Sequence, residues 1–363
     1  MSSLSMKVEQ SLFGRTTAGE DVTRTVLTND QGMKVALIDY GATIQAIHCP
    51  DQNGQSENIV LSCDSLEDYE RQSVYLGAVV GRCANRIAKG RLELEGQTYQ
   101  LTINNDPNHL HGGENGFHTK VWEQSIEEYD DAISVTMTCT SPDGEDGYPG
   151  HVQARVIYTL TSDNILDIRF SATTNKTTVV NLTQHSYFNL AGSGTIHNHV
   201  LQLDAPEYLP IDENAIPTGQ IQPVQSSAFD FIHPKAIGQD IAGISSSGLC
   251  QQQLALANGY DHTFCLPYDG QSETRRMGEV WEPSSGRTLT IYTNQPGVQL
   301  YTGNYLEGTP APEGKVWHNQ EGFCLETQGW PDASNQPNFP AITLQPGEIY
   351  QHHTCWIFGC RSQ

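Results

Sequence analysis

Apolar and polar positions alternate with a period of two along much of this chain. In "AISVTMTCT" the residues Ile133, Val135, Met137 and Cys139 share one face, and in "VQARVIYTL" the residues Val152, Ala154, Val156, Tyr158 and Leu160 do the same. "GRLELEGQTYQL" predicts a hairpin, with Leu92 and Leu94 ahead of a turn near Gly96 and Tyr99 and Leu101 beyond it. Helical patterns are few: "SLEDYERQS" (65–73) and "HPKAIGQDIAG" (233–243) allow only short helices. The stretch "IAGISSSGLCQQQLALANGYDH" (241–262), rich in Ser, Gly and Gln, reads as a loop with strand patterning resuming on both sides. The 33 glycines and 18 prolines supply turns between many strands. Together these features predict an all-β fold, a large antiparallel β-sandwich with few short helices, in a single domain over residues 1–363.

Charge narrows the partners. Lys and Arg number 19 against 42 Asp and Glu, a net charge of −23, which argues against nucleic acid or an anionic membrane and favours a neutral small ligand. The nine cysteines form no C-x-x-C pair and no zinc-like spacing, so they read as reduced thiols. The first residues hold no apolar stretch of signal-peptide length, and no run approaches a membrane span. The expectation is a soluble, cytoplasmic protein.

One segment departs from the apolar rule for core strands. In "NLTQHSYFNL" (181–190), strand alternation puts Asn181, Thr183, His185, Tyr187 and Asn189 on one face and Leu182, Phe188 and Leu190 on the other. An internal histidine is commonly a satisfied structural residue. A whole polar face, though, needs partners or a polar ligand, because each unpaired buried group costs about 1–3 kcal/mol. In "GFCLETQGWPD" (322–332) Glu326 projects on the face of Cys324 and Gln328. It is either a solvated carboxylate or, once desolvated, a carboxyl whose raised pKa suits a general base.

Other candidates surround these two. His109 and His111 form an H-x-H that could reach a metal, but no third ligand stands at local spacing, and Gly112 and Gly113 fit a loop approached by a small ligand. Arg82 and Arg86 flank Asn85; they form either an anion site on one helical face or salt bridges with an acidic surface. Asp261 follows a turn in "NGYDH", and Gln299 and Tyr301 share a strand face in "NQPGVQLYTGN". His352 and His353 fall on opposite strand faces and read as structural. Amides, hydroxyls, carboxylates and an arginine make up the set that grips a sugar's hydroxyls.

The ordered motifs "GRCANRI", "NHLHGG", "NLTQHSYFNL", "YDH", "QPGVQLYTGN" and "GFCLETQGWPD" resemble the aldose 1-epimerase (galactose mutarotase) family over most of the chain, from about Phe13 to Phe358. That resemblance implies a mutarotase-like supersandwich without cofactor or metal, which interconverts α and β anomers of free hexoses such as galactose and glucose. It further implies Glu326 as catalytic base and His185 as acid. Asn85, Arg86, His111, Ser186, Tyr187, Asp261 and Gln299 would bind the sugar, with Ser186 on the strand face opposite His185. An imidazolium acid would act near neutrality, given a reference pKa of about 6.5. Two other readings stay open: a hexose-6-phosphate epimerase of the same fold, and a non-catalytic sugar sensor. Oligomeric state and the choice between galactose and glucose are not legible.

Overall fold

The computed structural model describes residues 5–244 and 248–362. The chain builds a large antiparallel β-sandwich. Its main sheet has nine strands in the spatial order Glu123–Glu128, Ala132–Ser141, Val152–Thr161, Ile165–Thr174, Tyr350–Cys360, Arg287–Thr293, Arg275–Trp281, Val200–Leu203 and Lys235–Ala236. A second sheet takes five strands in chain order from Lys7–Arg15 to Ser56–Asn58, and a third runs Gln222–Pro223, Glu207–Tyr208, Asp261–Cys265, Gly297–Tyr301 and Cys324–Gln328. The alternation legible in the sequence sets the core: Val152, Ala154, Val156, Tyr158 and Leu160 are all fully buried, while Gln153 and Arg155 face out. Each large aliphatic side chain buried this way contributes about 1.5–3 kcal/mol. One continuous apolar cluster draws on residues from Leu27 to Phe358.

The 91–100 hairpin forms, as does the helix at Leu66–Arg71, where the Ser65 side chain caps the Asp68 amide and Leu66 and Tyr69 are buried. Two expectations fail. Residues 233–243 make no α-helix. Lys235–Ala236 instead pairs with Val200–Leu201, and only a 3-10 turn at Ile237–Gln239 follows, where Gly238 lies so close to His197 that a β-carbon would sit 2.5 Å from its Cβ. The 241–262 stretch is not all loop: Leu249–Ala257 is helical, ended by Asn258 in the left-handed region. The run of Gln, Leu and Ala outweighs the Ser and Gly that precede it. Residues 245–247 of that stretch lie outside the described residues.

Among the described residues, no helix is long and apolar enough to cross a membrane. The eight described cysteines whose side chains are placed are all unpaired.

Candidate active site

The segment 181–190 is buried throughout and is less regular than a strand: only Thr183–Gln184 forms a ladder, against Val79–Val80. Most of its polar face is spent inside the protein. Asn181 clasps Gly329, donating to its carbonyl at 3.2 Å and accepting from its amide at 2.8 Å. Thr183 donates to the Thr327 carbonyl, and Asn189 donates to the carbonyls of Gly194 and Glu321. These bonds stitch the segment along the Cys324–Gln328 strand, so the polar face is a seam rather than the floor of a cleft. Only His185 and Tyr187 reach the cavity.

His185 is fixed from behind. Its amide donates to the Ala78 carbonyl at 2.8 Å and its carbonyl accepts from Gly77 at 3.0 Å. The Gln184 side chain bridges the Gly77 carbonyl and the Ser186 amide. Gly77, at φ 65°, is required for this contact, since a β-carbon there would lie 2.2 Å from the Ile44 carbonyl oxygen. The imidazole lies against Tyr75, with ring centroids 5.7 Å apart, and meets His111 edge-on at 5.1 Å. Its Nδ1 is 3.5 Å from Cys324 Sγ, and its Nε2 is 3.5 Å from Glu326 Oε1.

Both groups are buried, and Glu326 Oε1 has no hydrogen-bond partner. Burial, reinforced by nearby Asp261, pushes the Glu326 carboxyl well above the usual carboxylate range, as the sequence anticipates for a desolvated base. The histidine departs from expectation. Burial pulls His185 down to about 4, which favours a neutral imidazole near neutral pH. His111 is likewise depressed by burial and by the adjacent His185.

A cavity of about 480 Å³ surrounds this pair and is lined by Asn85, Arg86, His111, His185, Tyr187, Asp261 and Glu326. Seven of the nine site residues that the family resemblance implies therefore converge, from segments as distant as 85 and 326. Arg86 Nη1 faces Asp261 Oδ2 at 4.0 Å while its Nε donates to Asn105. The His111 ring nitrogen Nδ1 accepts from the Asn85 amide at 2.9 Å. Tyr187 donates its hydroxyl to the Val74 carbonyl at 2.8 Å and so offers the cavity its ring.

Two of the nine stand back. Gln299 lies behind Asp261, donating to its Oδ1 at 2.8 Å and accepting from the Thr263 hydroxyl. Ser186 is buried off the cavity wall, with its hydroxyl unpartnered. Arg82 is neither a surface ion pair nor half of an anion site: its buried guanidinium donates to the carbonyls of Ser141, Pro142, Pro149 and Gly150. His109 turns away from His111 and bonds Thr102 and Tyr148, so the H-x-H is not a metal pair. A different set, His111, His185 and Glu326, does bring one donor atom each within 4.8 Å of one another and could hold a cation. Tyr301, named in the sequence, lines the wall as well, whereas sequence reasoning missed Tyr75, Asn105, Asp106, Glu213 and Tyr305, which also line it.

A family model for aldose 1-epimerase matches residues 23–355. The chain belongs to the aldose 1-epimerase family. Galactose mutarotase from Bos taurus is 43% identical over 357 residues, covering 98% of this chain and 99% of the relative. Aldose 1-epimerase from Escherichia coli is 37% identical, over 94% of this chain and 96% of the relative. Among solved structures, galactose 1-epimerase from Lactobacillus acidophilus superimposes with a TM-score of 0.85 at 31% identity, covering 99% of this chain and 100% of that one. The family's fold is thus the sandwich described above.

Proposed function

We propose that this protein is an isomerase, a mutarotase that interconverts the α and β anomers of free hexoses such as galactose and glucose by acid–base ring opening and reclosure. The observation that carries this reading is the approach of His185 Nε2 to Glu326 Oε1 at 3.5 Å inside a cavity of sugar-binding polarity. Ring opening needs one proton taken from the O1 hydroxyl and one given to the ring oxygen as the C1–O5 bond breaks. Glu326 as carboxylate accepts the first and His185 as imidazolium supplies the second, acting from the minor ionic tautomer of a one-proton pair that burial otherwise favours as carboxylic acid and neutral imidazole. Rotation about C1–C2 turns the other aldehyde face toward O5, and closure returns both protons. Positioned acid–base groups typically contribute about 10²–10⁴-fold each.

The proton inventory gives the burial a role. After ring opening the pair stands as carboxylic acid and neutral imidazole, with the same total of one proton. Desolvation favours that uncharged pair, so the site stabilises its own protonation state beside the open-chain aldehyde. Asn85, Arg86, His111 and Asp261 supply polar contacts to the hydroxyls. Gln299 positions Asp261, and Ser186 acts through the backbone that holds His185.

Polarimetry on freshly dissolved α-galactose tests the reading: the protein should abolish the slow drift of optical rotation, and an unchanged drift would refute it. A phosphorylated substrate is disfavoured. Arg86 is the one arginine or lysine on the described wall, against Asp106, Glu213, Asp261 and Glu326. Free hexose should therefore turn over faster than hexose 6-phosphate by at least about tenfold, on charge grounds. A non-catalytic sensor is disfavoured by the unpartnered Glu326 carboxyl, whose buried cost of about 1–3 kcal/mol serves no binding need. We read the chain as one domain, supported by the continuous core, and as cytoplasmic, supported by its unpaired thiols.

A further inference from the structure

The outer face of the nine-stranded sheet carries a cluster that sugar chemistry does not use. Asp167 and Cys355 are directly opposed in the ladder between Ile165–Thr174 and Tyr350–Cys360, and His353 precedes Cys355 by two positions, so the three side chains leave the same face. Asp167 Oδ1 lies 2.5 Å from His353 Nε2 and 2.9 Å from Cys355 Sγ, and Sγ lies 3.3 Å from Nε2. All three are half-buried and open to solvent. Arg169 donates to the other oxygen, Oδ2, at 2.9 Å, which leaves Oδ1 to the cluster. His352, by contrast, points inward and bonds Leu182, Thr327 and Thr354.

A thiol, an imidazole and a carboxylate converging on one point are a soft-to-borderline donor set. Ligand atoms around tetrahedral zinc sit about 3.3–3.7 Å apart, so this cluster needs to open by less than about 1 Å. The backbone positions are locked by sheet pairing on both sides of Tyr350–Cys360. We propose that Asp167, His353 and Cys355 form a binding site for a thiophilic divalent cation such as Zn²⁺, with solvent as the fourth ligand. Binding replaces the Cys355 thiol proton, which passes to solvent, and the Nε2 proton that His353 gives to Asp167, which moves to Nδ1 as the neutral ring changes tautomer and frees the Nε2 lone pair. Without the cation, burial and the Asp167 carboxylate hold the thiol up near about 12, which leaves it unreactive. The site differs from His111, His185 and Glu326 in containing sulfur, and that difference makes the two separable.

Titration of the full chain with Co²⁺ tests this. The expected result is one bound equivalent with a sulfur-to-cobalt charge-transfer band, displaced by Zn²⁺. Cys355→Ser should abolish the band, His353→Gln and Asp167→Asn should each weaken binding about tenfold or more, and His185→Asn should leave the band in place. The proposal is overturned if no band forms, if it survives Cys355→Ser, if His353→Gln and Asp167→Asn leave affinity unchanged, or if the band is lost in His185→Asn.

Discussion

His185 Nε2 and Glu326 Oε1 face each other at 3.5 Å, yet Oε1 accepts no hydrogen bond. Their backbones bring the two groups together, and burial disfavours the charged form of each. Glu326→Gln should therefore lower kcat by about 10²–10⁴-fold while leaving the melting temperature unchanged or raising it, because an amide is easier to bury than an ionisable carboxyl. Polarimetry and thermal unfolding on the same sample check both halves; a large drop in stability would show that the carboxyl is structural.

The pH profile follows from the same pair. The active form holds one proton between the two groups. A second proton enters as His185 charges, near pH 4, and the last one leaves as Glu326 ionises, above the ordinary carboxylate range. kcat/KM should hold its plateau as pH falls through 6.5 and decline only toward about 4. An acid limb centred at 6.5 would mean that His185 titrates as an exposed imidazole does.

Gln299 and Asp261 should separate kinetically. Removing the amide in Gln299→Ala frees Asp261 Oδ1 without emptying the wall, so KM should rise several-fold with kcat within about threefold of wild type. Asp261→Ala removes the contact itself and should cost at least about tenfold in kcat/KM. Equal effects would place Gln299 on the sugar directly.

Stability should fall on mild acidification. Burial lowers His118, His185 and His199 to about 4 and His262 and His352 to about 3. Below 6.5 the unfolded chain takes up these protons and the folded one does not. Their contribution is thus present above 6.5 and drains away as pH falls toward 4 and 3, by several kcal/mol in total on the order set by such shifts. Glu326 and the buried aspartates Asp39, Asp261 and Asp332, whose carboxyls burial raises, act with the opposite sign and offset part of this loss. Urea midpoints at pH 7 and pH 5 measure the difference, and an unchanged midpoint would contradict the burial of these rings.

How much was legible depended on distance along the chain. Strands 132–141 and 152–161 follow from alternation, because each residue's face is fixed by its immediate neighbours. His185 stood out as part of an unbroken polar strand face, and Glu326 as a lone carboxylate beside Cys324 and Gln328. The partners of Asn181, Thr183 and Asn189 are carbonyls near 327, 329, 194 and 321, and no local pattern announces them. Tyr75 stacks on His185 from a loop position at φ 60°, a conformation its residue type gives no hint of. Arg82 misled because the carbonyls and hydroxyls that satisfy its buried guanidinium lie at 141–150 and 178, far from it along the chain. The helix at Leu249–Ala257 was hidden behind a serine run that dominates composition.

Tyr187 surrenders its phenol to the Val74 carbonyl, so it offers the cavity a ring that has no directional demand. A catalyst cannot alter the ratio of two anomers at equilibrium, and it gains nothing by gripping one of them hard. Under the proposed function, such an orientation-blind aromatic wall would let either epimer enter and either depart, leaving discrimination to the hydroxyls that never change.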